Sequence, residues 1–145
     1  MITARELLQS GRQHLYTICP DATVFDAIKL MADRDIGVLL VVEDEKLLGI
    51  LSERDYARKV ILQGKASHDT SVKDIMTTRV VCVAPERTVE ECMALMTQNH
   101  IRHLPVVENG RLAGIISERD LVKEVISHQQ FMIKQLEVYM GAAFL

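Results

Sequence analysis

Several residue types are scarce in this chain of 145 residues, and each scarcity excludes a class of protein. Tryptophan is absent and aromatic residues make up only 4%, so the core has to be aliphatic. The three cysteines, Cys19, Cys82 and Cys92, lie 63 and 10 residues apart, which fits neither a disulfide framework nor a CxxC metal site. We expect buried, inert thiols. None of the five histidines forms an HxxxH or HExxH pattern, so no metal site is predicted.

Long apolar runs and an excess of positive charge are also missing. The longest strongly apolar run, residues 36–42, is far shorter than the ~20 residues that a membrane-spanning helix needs. The first residues, 1–6, lack the apolar core of a signal peptide, so we expect a cytoplasmic protein. The net charge of −3, without a basic stripe, argues against nucleic acid as a partner.

The main feature that the chain does contain is a duplication. Residues 49–55 (GILSERD) return 65 positions later as residues 114–120 (GIISERD), with six of the seven positions identical. The same offset aligns Pro20 with Pro85 and Thr23 with Thr88 without a gap. A repeat of this length, present twice, predicts two copies of one structural unit rather than a solenoid.

Hydrophobic periodicity predicts the order βαββα in each copy. In the first copy we expect strands near 15–18, 36–42 and 47–51, a helix from Thr23, and a helix that begins at Ser52 and ends at Gly64. Asn109-Gly110 is a tight-turn dipeptide and supports a hairpin in both copies. Thr3 and Glu6 form a capping-box pattern that opens a helix ahead of the first copy. Two copies with apolar sheet faces would pack together as one pseudo-twofold α/β module.

We divide the chain into residues 1–71 (first repeat with the N-terminal helix), 72–128 (second repeat) and 129–145 (a C-terminal helical extension). The last helix outlasts the repeat and carries an apolar stripe at helical spacing. This tail either folds back on its own domain or meets a partner helix in a dimer, and we favour the dimer. The stripe consists of Val122, Val125, Gln129, Met132, Leu136 and Tyr139.

The duplicated corner has a structural interpretation and a functional one. In the structural interpretation, Ser52 with Asp55, and Ser117 with Asp120, are capping boxes that start helices. An aspartate in the first turn also suits the helix dipole. This accounts for the serine and the aspartate, but it does not require a glycine before the strand end or an arginine before the aspartate.

In the functional interpretation, the same corner binds a nucleotide. A hydroxyl and free backbone N–H groups at a helix N-terminus suit a phosphate, and Arg54 and Arg119 would add charge-assisted hydrogen bonds. The two aspartates are suited to accept hydrogen bonds from a ribose diol. The residues alone leave both interpretations open.

The βαββα repeat, the strand pattern of residues 101–107 (IRHLPVV) and the Gly-x-x-Ser-x-x-Asp corner resemble the CBS domain, the cystathionine-β-synthase-type domain. Two such units in tandem resemble a CBS pair, or Bateman module. The resemblance covers residues 15–126 in both copies. It therefore implies a stand-alone tandem CBS-pair protein.

This resemblance implies a regulatory sensor in signal transduction and not an enzyme. Family members bind adenine nucleotides such as AMP, ADP, ATP or NAD in clefts between the repeats, and AMP is the ligand we expect here. No catalytic residue and no catalytic cofactor is predicted. The expected partners are a second copy, held through the CBS faces and the C-terminal helix, and an unidentified effector protein. The alternative is a dimerising scaffold that binds no ligand.

Carried over residue by residue, the resemblance implies two sites. Asp55 and Asp120 would hold ribose, and the residues near phosphate would be Ser52, Arg54, Ser117 and Arg119. The base would lie among Tyr16, Ile36, Gly37, Val38 and Ile50 in one site, and among Val81, Ile101, Arg102, His103 and Ile115 in the other. The two sites need not share a ligand, since Gly37-Val38 stands where the second copy has Arg102-His103.

Overall fold

A computed structural model describes residues 2–11 and 15–144 of the chain, with side chains as far as residue 141. It confirms the tandem βαββα fold with a long C-terminal helix. The first repeat contains β1 (Thr17–Ile18), α2 (Val24–Arg34), β2 (Val38–Glu43), β3 (Lys46–Ser52) and α3 (Glu53–Tyr56), which continues as a π-helical segment (Ala57–Ile61). The second contains α5 (Val89–Asn99), β4 (His103–Glu108), β5 (Arg111–Ser117) and α6 (Glu118–Phe144). Two short helices, α1 (Ala4–Ser10) and α4 (Val72–Ile75), precede the repeats.

The two sheets repeat each other closely. Strand β2 lies between β1, which is parallel to it, and β3, which is antiparallel, while β4 pairs with β5 in antiparallel fashion. In the second repeat the first strand is reduced to a single parallel bridge between Val83 and Val106. A bulge between Val41 and Val42 returns between Val106 and Val107, at the same place in the repeat.

The two hairpin turns have the same backbone conformation. Asn109 and Gly110 have φ angles of 53° and 78°, and Asp44 and Glu45 have 51° and 66°. Positive φ at both central residues is what a two-residue hairpin with the native strand twist requires. The predicted hairpins are therefore confirmed in both copies, although the first copy forms its turn without a glycine.

Each repeat has its own aliphatic core, and each core is completed by a helix from outside the βαββα unit. Val72 and Ile75 of α4 are buried in the core of the first repeat. Ala4 and Leu7 of α1 are buried in the core of the second repeat, although α1 precedes the first. The division of the chain at residue 71 stays a prediction. Helix α4, which follows that residue, packs in the core of the first repeat.

Ion pairs fasten the two short helices at equivalent positions. In α1, Nη2 of Arg5 lies 2.9 Å from Oε1 of Glu86 and 2.7 Å from Oε1 of Glu108. Lys73 of α4 lies 2.9 Å from Asp21, the residue 65 positions before Glu86. The hydrogen bond from the Arg5 guanidinium holds the pKa of the Glu108 carboxyl below its usual value.

Two local predictions need correction. The helix expected from Ser52 to Gly64 changes from α to π geometry at Ala57. Cys92 is buried as expected, and burial raises the pKa of its thiol, but Cys19 and Cys82 are exposed. Cys19 directly follows the two-residue strand β1, and Cys82 directly precedes Val83, which makes a single bridge to Val106. Both thiols therefore lie where the sheet is very short.

Helix α6 extends well beyond the second core. Its 27 residues span about 40 Å at 1.5 Å per residue. Leu121 is buried and Val125 packs against the core, but every residue from 126 to 141 is exposed. The tail therefore does not fold back on its own domain. In the part of the chain that the structure describes, no helix is long and apolar enough to cross a membrane.

Gly49 should be intolerant of any side chain. A Cβ there would lie 2.8 Å from the sulfur of Met76 and 2.9 Å from the carbonyl oxygen of Thr77. We expect Gly49→Ala to reduce the free energy of unfolding by about 1–3 kcal/mol, because a backbone oxygen cannot move aside cheaply. Urea unfolding would measure this. Gly37→Ala is the control, because its Cβ would lie 3.7 Å from the nearest atom, and equal stability of the two variants would contradict the prediction.

Candidate functional site

Both duplicated corners form helix caps. In the second repeat, the backbone N–H of Asp120 donates to Oγ of Ser117 at 3.1 Å, and the N–H of Ser117 donates to Oδ2 of Asp120 at 3.0 Å. Asp55 and Ser52 make the same two bonds at 3.1 and 3.0 Å. The capping interpretation is therefore confirmed, and the role of these residues in ligand binding stays a prediction.

The first amides of α3 and α6 are largely in use. The N–H of Glu118 donates to the carbonyl oxygen of Arg102 at 2.8 Å, and that of Glu53 to Gly37 at 3.0 Å. The serine caps occupy the third amide of each helix. The expectation of free N–H groups for a phosphate is thus wrong for two of the first three amides, because the chain entering β2 or β4 runs past the helix start.

A cavity of about 350 Å³ lies between the two repeats. This volume falls within the roughly 300–1,000 Å³ typical of small-molecule sites. Val38 and His103, which line it, occupy equivalent positions 65 residues apart. The cavity therefore has walls from both repeats. Its walls are formed by Leu15, Tyr16, Asp35, Ile36, Gly37, Val38, Leu40, His103, Ile115, Ser117 and Asp120.

Eight of the sixteen predicted site residues line this one cavity. The first repeat contributes Tyr16 and residues 36–38, and the second contributes His103, Ile115, Ser117 and Asp120. The predicted grouping of residues by repeat is therefore wrong for this cavity, because the packing of the repeats brings the two sets together.

The other eight predicted residues lie elsewhere. Ile101 and Arg102 line a neighbouring cavity of about 410 Å³ beside α5 and α6. Arg54 and Arg119 are exposed. None of the remaining six predicted residues lines either cavity, and these are Ile50, Ser52, Arg54, Asp55, Val81 and Arg119.

Asp35 is a polar residue of the cavity that sequence reasoning missed. It ends α2 in the left-handed conformation, with a φ angle of 52°. His100 ends α5 in the same way, with a φ angle of 54°. The available signal was an acidic residue between an amphipathic helix and an apolar strand, directly before Ile36.

Within residues 2–11 and 15–144, the lining of the cavity is more acidic than basic. Asp35 and Asp120 belong to it, and no lysine or arginine of these residues does. Burial lowers the pKa of His103, an effect that the negative charge of Asp120 opposes and that of Arg102 reinforces. A neutral imidazole at neutral pH can donate one hydrogen bond and accept another. The arrangement suits hydroxyl groups and ring nitrogens better than several phosphates.

Within the described residues, only one of the two carboxylate oxygens of Asp120 accepts a hydrogen bond. Oδ2 accepts from the N–H of Ser117, whereas Oδ1 has no protein partner. Apolar side chains line the same cavity as Asp120, among them Ile36, Val38 and Ile115. The geometry thus places one open acceptor next to walls that suit a planar base.

Comparison with known proteins identifies relatives along most of the chain. The model of the CBS domain family matches residues 1–61 and 72–127. The mitochondrial CBS domain-containing protein CBSX3 of Arabidopsis thaliana is 40% identical over 129 residues, which cover 86% of this chain and 63% of that protein. The chain thus spans less than two thirds of this relative.

Solved structures agree with this similarity. A CBS-domain protein from Burkholderia ambifaria MC40-6, provisionally assigned to signal transduction, has a TM-score of 0.80 at 48% identity, covering 88% of this chain and 96% of that one. A hexameric CBS-CP12 protein from bloom-forming cyanobacteria has a TM-score of 0.70 at 35% identity, covering 83% of this chain and 66% of that one.

The half-buried imidazole of His103 should make the stability of the protein depend on pH. Because the pKa of His103 is lowered from 6.5 in the folded protein, the unfolded state binds its proton at higher pH, and stability is lost as pH falls below about 6.5. The equivalent residue of the first repeat is Val38. We therefore expect the stability of His103→Val to change less with pH than that of the wild type. Urea unfolding between pH 7.5 and 5.5 would measure it, with exposed His128→Gln as control. An unchanged slope in His103→Val would contradict the prediction.

Proposed function

The chain belongs to the CBS-domain family, and on this premise we propose that it senses an adenine nucleotide. The ligand would bind in the cavity between the repeats, and its occupancy would be passed to an effector protein. The observation that carries the proposal is that Asp120 lines a cavity walled by both repeats while its Oδ1 has no partner among the described residues. The protein would act as a regulator in signal transduction, without a catalytic residue or cofactor of its own.

Asp120 is the residue we assign to ribose. A carboxylate accepts the paired hydrogen bonds of a ribose diol, as acidic residues do in dinucleotide-binding folds. The cap from Ser117 fixes one oxygen at 3.0 Å and so orients the other. The base would lie against the apolar wall formed by residues 36–38 and Ile115.

The charge of the cavity favours a ligand with few phosphates. Two carboxylates and one histidine line it, and Arg119 lies exposed on the surface. Each added phosphate would bring negative charge towards Asp35 and Asp120, and the described lining contains no lysine or arginine to offset it. AMP is therefore the adenine nucleotide that we propose, in preference to ATP.

Ligand binding would couple the two repeats because the cavity has walls from both. A ligand shifts a conformational equilibrium only by as much as it prefers one arrangement over the other. A molecule that contacts Tyr16 and Asp120 together prefers the arrangement in which the repeats are closed around it. The relative packing of the repeats would then be the signal that an effector reads.

We further propose that α6 pairs with α6 of a second copy. Its apolar stripe follows a heptad pattern of two sets of positions seven residues apart, offset by three: Val122, Gln129 and Leu136, and Val125, Met132 and Tyr139. This spacing is that of a two-helix seam. Leu136 and Tyr139 are 58% and 73% exposed in the single chain. Because the same heptad stripe is present on every copy, α6 of a second copy could cover these side chains. The hexamer among the related structures is an assembly of that protein.

The alternative function is a dimerising scaffold that binds no nucleotide. In that case the two Ser-x-x-Asp corners would serve only as the helix caps described above. A cytoplasmic location stays a prediction.

AMP should stabilise the protein against thermal unfolding. At 100 times its dissociation constant, a ligand adds about 2.7 kcal/mol of stability per site. We would compare AMP, ADP, ATP, NAD and S-adenosylmethionine, and expect AMP to give the largest shift. In Asp120→Asn the shift should fall, because the loss of hydrogen bonds to a charged group costs about 1.5–3 kcal/mol.

The control is the melting temperature of Asp120→Asn without ligand, which reports any loss of the cap itself. No stabilisation by any compound would favour the scaffold instead. Full stabilisation of Asp120→Asn would remove Asp120 from the site.

The α6 seam predicts that Leu136→Asp converts a dimer into a monomer of 16.4 kDa. Light scattering on a sizing column would measure the mass. Lys134→Asp is the matched control, because Lys134 lies about 200° around the helix from Leu136 and should leave the dimer intact. A monomeric wild-type protein, or a dimeric Leu136→Asp variant, would contradict a seam along α6.

A further inference from the structure

The two duplicated corners differ in what surrounds the aspartate. At the first corner, Oδ2 of Asp55 accepts from both the N–H and the Oγ of Ser52, at 3.0 and 3.1 Å. Its other oxygen, Oδ1, lies 3.2 Å from Nζ of Lys59 and accepts from the hydroxyl of Thr77 at 3.3 Å. Both oxygens of Asp55 therefore already have partners within the chain.

Lys59 is held in place by several contacts at once. Its ammonium group donates to the carbonyl oxygen of Ile75 at 3.0 Å and lies 3.5 Å from the hydroxyl of Thr77, in addition to Asp55. An ammonium group has three hydrogens to donate, and three oxygens surround this one. Lys59 belongs to the π-helical segment, a distortion that often occurs at functional positions.

The position of Thr77 is fixed independently of Lys59. Its backbone N–H and carbonyl oxygen bond to Ile50 of β3, at 2.8 and 2.9 Å. The neighbouring glycine, Gly49, lets this segment pass at a distance that no Cβ would permit. The chain that follows α4 is thus pressed onto the edge of β3, and this brings the Thr77 hydroxyl to Asp55.

Among the residues that the structure describes, the second corner has no such arrangement. The residue equivalent to Lys59 is Glu124, 65 positions later, and a carboxylate cannot pair with Asp120. Helix α6 also continues without a π-helical segment at this point. Within the described residues, Oδ1 of Asp120 has no partner.

We propose that Lys59 and Thr77 close the first corner, so that each chain has one nucleotide site, at Asp120. The ammonium and the hydroxyl take the place that ribose hydroxyls would occupy on Asp55. Lys59 is accordingly a specificity-determining residue, since it decides which of two nearly identical corners is open. This inference rests on the proposed function and goes further by assigning its stoichiometry and the residue that sets it.

Calorimetric titration of the full-length protein with AMP tests the proposal by counting sites. We expect one AMP per chain for the wild type. Asp120→Asn should weaken binding about tenfold or more, whereas Asp55→Asn at the matched position should leave both affinity and stoichiometry unchanged. Circular dichroism of each variant would confirm that it is folded.

A variant that opens the first corner tests the role of Lys59 itself. Lys59→Met with Thr77→Val removes both donors to Oδ1 of Asp55 while keeping the side chains similar in size. We expect the stoichiometry to rise from one towards two AMP per chain. Glu124→Met, at the equivalent position of the second repeat, is the control and should leave it at one.

The outcomes separate the two proposals. Two AMP per wild-type chain, or loss of binding in Asp55→Asn, would overturn the closed corner and leave the nucleotide sensor standing. A stoichiometry that stays at one in the opened variant would show that Lys59 and Thr77 do not exclude the ligand. If AMP binds to no variant and not to the wild type, the proposed function itself fails.

Discussion

The structure depends on two short helices whose apolar side chains complete the cores from outside the repeats. Val72 and Ile75 complete the first core, and Ala4 and Leu7 complete the second. The chain therefore begins on the second core and then enters the first sheet as β1, which ties the two repeats together. Val38 of the first repeat and His103 of the second line one cavity.

One repeated corner serves two different purposes because its neighbours differ. Ser-x-x-Asp caps a helix in both repeats with nearly the same distances. In the first repeat the remaining oxygen is paired with Lys59, whereas the equivalent position of the second repeat is Glu124, and Oδ1 of Asp120 has no partner among the described residues. A duplicated sequence thus produces one half-buried ion pair and one carboxylate without such a pair.

Helix α6 contributes residues both to the cavity and to the proposed dimer seam. Asp120 is in the first turn of α6, and Leu136 is more than four turns farther along it. In the proposed function, a ligand that draws Asp120 towards the first repeat would reorient the helix that a second copy contacts. A rigid helix passes a small rotation at one end to a larger displacement at the other, which would link occupancy to assembly.

The sequence by itself determined the duplication, the order of helices and strands, the hairpin turns and the capping boxes. These follow from contacts between residues close in the chain, such as Ser117 with Asp120 or the turn at Asn109-Gly110. Eight of the residues that the sequence predicts for ligand binding line the cavity, and their role in binding stays a prediction. Only the tertiary structure decided that these eight belong to one cavity, that Lys59 and Thr77 cover Asp55, and that α6 stands away from its domain. Apart from the ion pair of Lys59 with Asp55, which lie four residues apart, those facts depend on how segments far apart in the chain pack against each other, and no local pattern encodes them.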